Sequence, residues 1–298
     1  LRLFKGISFK ILLKKVSIEI KNERRKNSKR KISKMRVIRN ISGLIFISFL
    51  LFSCHRERER DNVVARDAAF AEQLYGDVFN IVNSVASSTD GIRTLDLPCV
   101  DTVIVDTLSF PKTLVIDFGE DDCFGNDGRV RKGKILISLT GRYSHEGTTI
   151  SVTTDNYRVD QAVVNINKTI TNAGLNAQAQ PYFLVEITGE IVTNEGSMTY
   201  SSSRVRTWVN GFSTMDWQDD VYEITGEASG TNRNGKAFSV YIEQALRMEL
   251  NCAWISSGKL RIEPEQGESR LLDFGSGNCN SGYTVLVGDE TYIVNGGD

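Results

Sequence analysis

The chain has 298 residues with 36 basic and 37 acidic side chains, and its formal net charge is −1. Residues 1–53 hold 15 of the basic and only 2 of the acidic residues, so the rest of the chain has a net charge of −14. A surface of that sign repels phosphate backbones, and we expect no nucleic acid partner. The only histidines are His55 and His145, which disfavours histidine metal sites and Ser-His-Asp triads.

The first segment ends at the first methionine of the chain. Residues 1–34 show no domain-like pattern, and we expect them to be unstructured read-through upstream of a translation start at Met35. Residues 35–53 then have the layout of a secretory signal peptide, in which two arginines precede a short apolar run at 41–52. Those twelve residues are too few to span a bilayer core of ~30 Å, which needs about 20.

The apolar run ends in Leu51-Phe52-Ser53-Cys54, which resembles the lipobox of bacterial lipoproteins. The resemblance implies that Cys54 is diacylated, with chains such as palmitate, and becomes the N-terminus of the mature protein. An anchor of several acyl chains holds a protein on a membrane without crossing it. The alternative is an ordinary signal peptide with an incidental cysteine.

A charged tether follows the cysteine at residues 54–60. The residue after the cysteine is His55 and not an aspartate. By resemblance to sorted bacterial lipoproteins, this implies the outer membrane, either at its periplasmic face or at the cell surface. A plain solvated tether is the alternative.

Residues 61–90 predict one amphipathic helix. Apolar side chains recur at steps of three and four from Val64 to Val85, which is the helical period. Asp61 is a suitable N-cap, and the polar residues and glycine at 89–91 mark the end. We expect the apolar stripe to pack against the sheet formed by the residues that follow.

From residue 91 to 298, alternation of apolar and polar residues replaces the helical period and predicts an all-β domain. Four segments share a template of an aliphatic residue, Ser or Thr, a glycine and a later turn glycine: 139–147, 187–196, 224–235 and 255–267. They predict four hairpins, in which the first glycine relieves a bend or bulge and the second supplies a positive φ. Together they predict an antiparallel meander of about eight or more strands, curled around the helix as an open or half-closed barrel. A two-layer sandwich is the alternative.

Two segments, 117–123 and 273–279, repeat the pattern Asp-Phe-Gly, three residues, Cys. Each unit has another cysteine upstream, near the start of a predicted strand. Cysteines at the start of one strand and just past the end of its antiparallel neighbour lie close together. We therefore predict two local disulfides, Cys99–Cys123 and Cys252–Cys279, with long-range pairing and reduced thiols as alternatives. Disulfides suit an exported protein.

The Asp-Phe-Gly triplet also occurs in protein kinases, but the chain lacks the glycine-rich loop, strand lysine and catalytic loop that act with it there. Acidic residues follow the first copy, and Asp121, Asp122 and Asp127 are candidate calcium ligands because hard cations take six to eight oxygens. Their spacing does not fit an EF-hand loop, which favours a solvated acidic turn. We expect no other cofactor.

Two tryptophans and two aspartates are the candidate ligand-binding residues, namely Trp208, Trp217, Asp219 and Asp220. Aromatic rings beside carboxylates are typical of sugar-binding surfaces, because rings stack on apolar sugar faces and carboxylates accept from hydroxyls. With Asp216, the same carboxylates could serve a glycosidase, which needs only a pair about 5 to 9 Å apart. The alternative is that the aromatic side chains fill the core of the sheet.

Together, the lipobox, the Thr-Gly hairpins, the paired Asp-Phe-Gly and Cys segments and the acidic mature chain resemble uncharacterised outer-membrane or surface lipoproteins of Bacteroidota. The resemblance covers residues 35–298 and implies no assigned activity. We expect a lipid-anchored cell-envelope protein with a non-enzymatic binding or structural role towards a glycan, a peptide or another envelope protein. A carboxylate-based glycan hydrolase and a carrier of hydrophobic molecules are the alternatives.

Overall fold

The computed structural model describes residues 25, 63–87, 99–100, 102–105, 109–125 and 127–295. The expected read-through segment, signal peptide, lipidated Cys54 and charged tether lie outside the described residues. Residues 61–298 form one compact unit. Its described part contains an α-helix, α1, at residues 63–87 and fourteen β-strands.

The strands become long in the middle of the unit, where β4 to β11 each have 10 to 15 residues. Their bounds are β1 Thr102–Val105, β2 Lys112–Asp117, β3 Cys123–Phe124, β4 Val130–Leu139, β5 Thr149–Val159, β6 Ala162–Leu175, β7 Pro181–Thr193, β8 Gly196–Asn210, β9 Val221–Thr231, β10 Ala237–Glu249, β11 Ile255–Pro264, β12 Arg270–Ser276, β13 Tyr283–Val287 and β14 Glu290–Val294. A single 3-10 turn, Trp217–Asp219, interrupts the connection from β8 to β9.

All the strands belong to one antiparallel sheet in which neighbours in sequence are neighbours in space. The order runs from β1 through β2 and β4 to β14, and the short β3 pairs with β4 outside this path. In the described part of the chain no pairing joins β1 to β14, so the sheet is open. The predicted all-β meander with one N-terminal helix is confirmed, and it has fourteen strands where the hairpin repeats alone indicated about eight.

All four predicted hairpins are present, as β4–β5, β7–β8, β9–β10 and β11–β12. Their turn glycines have positive φ, for example 73° at Gly235. The first glycine of the template varies in its role: Gly226 lies opposite a bulge in β10, but Gly141 is already in the turn. A Cβ atom at Gly189 would lie 2.5 Å from the backbone oxygen of Asn165 and 2.7 Å from the hydroxyl oxygen of Tyr75 on α1, so neighbouring strand and helix together require glycine here.

The helix α1 packs against the sheet, and each strand from β4 to β10 contacts it. Of the 25 helical residues, 18 are buried. The helix prediction is confirmed. The buried part of the helix is wider than the expected single apolar stripe, because Asp67, Asp77 and Asn83 are buried as well. These side chains tolerate burial because groups on the sheet hydrogen-bond to them, as the Tyr143 hydroxyl does to Asn83.

Both predicted disulfides, Cys99–Cys123 and Cys252–Cys279, are formed, each with Cα atoms 5.7 Å apart. The first Asp-Phe-Gly triplet begins at the last residue of β2 and the second lies within β12, with a buried phenylalanine in each copy. In each copy the aspartate accepts a hydrogen bond from the glycine N–H and pairs with a lysine of the neighbouring strand: Asp117 with Gly119 and Lys134, and Asp273 with Gly275 and Lys259.

Candidate functional site

Strand β8 places charged residues inside the protein. Side chains at even positions from 198 to 208 are buried against α1, and they include Arg204 and Arg206. Val205, between the two arginines, faces outward and is 36% exposed. This arrangement inverts the usual alternation of a half-buried strand, in which apolar residues face the core and polar residues face water.

Carboxylates of α1 compensate some of the buried cations. Each of three acidic side chains on the helix forms an ion pair with an arginine from the sheet or its turns, and we call these pairs the charged seam. The pairs are Asp67 with Arg233, Glu72 with Arg204, and Asp77 with Arg131. In the Glu72–Arg204 and Asp77–Arg131 pairs both charges are largely removed from water, so loss of one partner costs about 3–5 kcal/mol.

Two further cations face α1 without a carboxylate. Lys168 on β6 and Arg206 on β8 are each 2% exposed. Arg206 lies over the ring of Phe79, with its Cζ 3.9 Å from the centroid, and is 3.4 Å from the Tyr143 hydroxyl oxygen. Lys168 lies over the same ring, with its Nζ 5.5 Å from the centroid. Among the described residues, neither cation forms an ion pair.

These cations border a small, partly enclosed space between α1 and the sheet, which we call the inner cavity. It has a volume of about 50 Å³. Strands β7 and β9 to β11 contribute aliphatic side chains and Met248 to its lining. The polar lining residues are Glu72, Tyr75, Lys168, Tyr200, Ser202, Arg204 and Arg206. Burial, and secondly repulsion by Arg206, lowers the pKa of Lys168 to about 7.

The opposite face of the same strands carries a shallow depression, which we call the outer groove. It crosses β7 to β11 and has a volume of about 810 Å³. Its hydroxyl groups belong to Thr188, Thr199, Ser201, Ser229, Thr231 and Ser239, and two carboxylates, Glu263 and Glu265, lie at the β11 end. The pairing register aligns the hydroxyls in rows across the strands, as for Thr188, Ser201, Ser229 and Ser239. A second depression of about 260 Å³, lined in part by Ser203, Glu186, Glu227 and Tyr241, continues the polar surface.

The predicted ligand-binding aspartates all lie in the β8–β9 connection, where each takes part in local structure. Asp216 caps the 3-10 turn by accepting from the Gln218 N–H at 2.9 Å. Asp219 accepts from the Thr214 hydroxyl at 2.9 Å. Asp220 is fully buried and accepts from the indole N–H of Trp208 at 3.1 Å.

The predicted tryptophans pack into the core. Trp208 is buried, with its ring stacked on Tyr222 at a centroid distance of 5.4 Å and Phe212 at its edge. Trp217 is half-buried against the same core. The structure does bring Trp208 and Asp220 together. The two side chains hydrogen-bond to each other within the core, however, and no ring face of Trp208 is left for a sugar.

Carboxylates of the acidic turn after β2 form ion pairs with arginine and lysine side chains. Asp127 pairs with the buried Arg131, and Asp122 pairs with Lys132 at 2.8 Å on the surface. Asp121 is exposed. In the described part of this turn, and in the other described residues, no three side chains of His, Cys, Asp or Glu gather as a metal ion would need.

Sequence reasoning missed the cations of the inner cavity, Lys168, Arg204 and Arg206. The available signal was the segment 201–207, in which serine, arginine and threonine occupy both faces of one long strand. A pattern with polar residues on both faces does not say which face is buried. Only the pairing of Arg204 with Glu72, 132 residues away, identifies the inner side.

No protein family model matches the chain, and neither a curated protein nor a solved structure shows significant similarity to it. Within the described residues, α1 is not apolar enough over its length to cross a bilayer.

Proposed function

We propose that this protein is a lipid-anchored cell-envelope protein of a bacterial outer membrane that binds a neutral glycan in its outer groove without chemical turnover. The outer groove carries the proposal. Its rows of serine and threonine hydroxyls both donate and accept hydrogen bonds, which matches the hydroxyl groups of a sugar. The carboxylates at its β11 end disfavour anionic ligands.

The exported location is supported by the two disulfides, because such bridges form and persist in oxidising compartments. The lipobox at Cys54 supports attachment through acyl chains. An anchored protein with an exposed, rigid sheet face can present that face to the glycans of the envelope. The charged seam and the disulfides together keep the sheet in one shape, which lowers the entropy lost on binding.

The two alternatives have weaker support. A hydrolase would use the aspartates of the β8–β9 connection, but the Asp216 and Asp220 carboxylates hold that connection together through the Gln218 N–H and the Trp208 indole. A carrier of hydrophobic molecules would use the space around α1. The inner cavity of about 50 Å³ is well below the ~300–1,000 Å³ of typical ligand pockets.

A glycan array probed with the full chain in non-ionic detergent tests the proposal. We expect binding to neutral glycans, and we expect the double variant Ser201→Ala/Ser229→Ala to bind at least ~5-fold more weakly, because two hydrogen bonds contribute roughly 1–3 kcal/mol. The matched control is Thr153→Ala, an exposed hydroxyl on β5 outside the groove, which should bind as the parent does.

Mass spectrometry of the array glycans after incubation distinguishes the alternatives. Unchanged glycan masses support a binding protein. Shortened glycans, with cleavage lost in Asp219→Ala, would replace the proposal with the hydrolase. A folded chain that binds no glycan, or a double variant that binds as well as the parent, would contradict the outer groove as the site.

A further inference from the structure

The inner cavity contains more positive charge than the protein neutralises. It is bordered by Lys168, Arg204 and Arg206, and Glu72 is the one carboxylate among its lining residues. Glu72 pairs with Arg204 and also accepts from the Tyr200 hydroxyl. Because a buried charge without a partner is strongly unfavourable, Lys168 and Arg206 call for a negative group that the described residues do not supply.

Individual nitrogen atoms around the cavity also lack acceptors. The Nη1 atom of Arg204 and the Nε atom of Arg206 are buried and have no hydrogen-bond acceptor among the described residues. Lys168 Nζ lies over the Phe79 ring, 5.5 Å from its centroid. Buried donors in native proteins are almost always satisfied by protein, water or a ligand. Arg204 and Arg206 on β8 and Lys168 on β6 line the same space.

We propose that the inner cavity is a binding site for one small inorganic or carboxylate anion, of the size of chloride, formate or phosphate. Each water molecule needs about 10–15 Å³ of such a volume, so about 50 Å³ accepts an ion of a few non-hydrogen atoms and no larger ligand. The two guanidinium groups suit an oxyanion because their N–H groups form planar forks. The anion bridges β6 and β8 beneath α1 and completes the charged seam.

The charged groups that share this space with Lys168 are Glu72 from α1 and Arg204 and Arg206 from β8. The titratable hydroxyls of Tyr75 on α1 and Tyr200 on β8 also line it, and the lining from β7, β9, β10 and β11 is apolar. With its pKa lowered to about 7, Lys168 is only partly protonated near neutral pH. A bound anion favours the protonated ammonium. Anion binding is therefore expected to take up a proton above pH 7 and to weaken as the pH rises.

Thermal unfolding of the full chain at constant ionic strength tests the proposal. Sodium gluconate, whose anion is too large for the cavity, is replaced in separate series by chloride, formate or phosphate. At about a hundred times the Kd of a bound anion, we expect the Tm to rise by roughly 5–10 °C. The series that gives the rise at the lowest concentration identifies the preferred anion.

Two variants test whether the Tm response arises at the inner cavity. Lys168→Met removes one cation of the cavity and is expected to abolish most of the Tm response. Lys236→Met removes an exposed cation in the β9–β10 turn and is expected to keep the full response. A folded parent chain with no response to any of the three anions overturns the proposal, and so does an equal response in Lys168→Met.

Crystals grown in bromide provide a second test that needs no variant. We expect an anomalous peak within about 3.5 Å of Lys168 Nζ and of a nitrogen of Arg206. Water alone in the cavity, with bromide bound elsewhere in the same crystal, would contradict the proposal. A glycan result of either sign at the outer groove leaves this outcome unchanged, since the two sites lie on opposite faces of the sheet.

Discussion

The two faces of strand β8 use polar residues in opposite ways. On the outer face, Ser201 and Ser203 are exposed beside other hydroxyls and carboxylates. On the inner face, Arg204 and Arg206 are buried against α1. An exposed hydroxyl needs no partner because water satisfies it, whereas a buried guanidinium depends on a carboxylate, an aromatic ring or an anion. The outer face is therefore free to bind, and the inner face maintains the structure through contacts with the helix.

This difference predicts that equal chemical changes on the two faces have unequal effects on stability. The largest effect is expected for Asp77→Asn on α1, which leaves Arg131 and the nearby Arg129 with less negative charge. We expect a loss of about 3 kcal/mol in the free energy of unfolding, at the lower end for a broken buried pair because Asp127 remains on Arg131. Urea unfolding with intact disulfides measures it.

The matched control for this change is Glu227→Gln on the outer face of β9, where the carboxylate is exposed. The free energy of unfolding should then change by no more than about 0.5 kcal/mol. If Asp77→Asn and Glu227→Gln gave the same small loss, the charged seam would not stabilise the fold.

An intermediate effect is expected from the titration of Lys168 on the inner face. Its folded pKa of about 7 lies below the ordinary value of 10.5, so between these values the unfolded chain holds a proton that the folded chain releases. Stability therefore rises with pH in this window, by roughly 2 kcal/mol from pH 7 to pH 9 in gluconate buffers. Urea unfolding at a series of pH values measures the slope.

Lys168→Met should remove that increase, and Lys236→Met, in an exposed turn, should retain it. A parent chain whose stability is flat or falls between pH 7 and pH 9 would show that Lys168 keeps its proton in the folded protein. In that case the ammonium group of Lys168 must have a hydrogen-bond acceptor even in gluconate buffer.

The smallest effect is expected for Val205→Ser, because this valine lies on the outer face between two buried arginines. We expect a change of at most about 0.5 kcal/mol. Val185→Ser on the inner face of β7 is the comparison, since Val185 is buried and its replacement should cost about 2 kcal/mol or more. Thermal unfolding of both variants checks the pair, and a larger loss for Val205→Ser would mean that the two faces are assigned the wrong way round.

Several elements of the fold were predictable because their causes are local. The four hairpins follow from alternation and turn glycines such as Gly235, and the two disulfides follow from cysteines at matching strand ends. The helix follows from its apolar period. The candidate site residues fared differently. Trp208 and Asp220 are indeed neighbours, yet they hydrogen-bond to each other within the core. Their sequence pattern would look the same on a surface, because composition alone does not determine exposure.

The amino-acid sequence by itself determined the kinds of secondary-structure element, their order along the chain and the two local disulfides that crosslink the sheet. These depend on backbone preferences and on neighbours within about thirty residues, as in the disulfide separations of 24 and 27. Only the tertiary structure decided which face of β8 is inside, because that choice depends on helix carboxylates more than a hundred residues away. The same long-range packing encloses Lys168 and Arg206 in one cavity and leaves the hydroxyl rows on the outside.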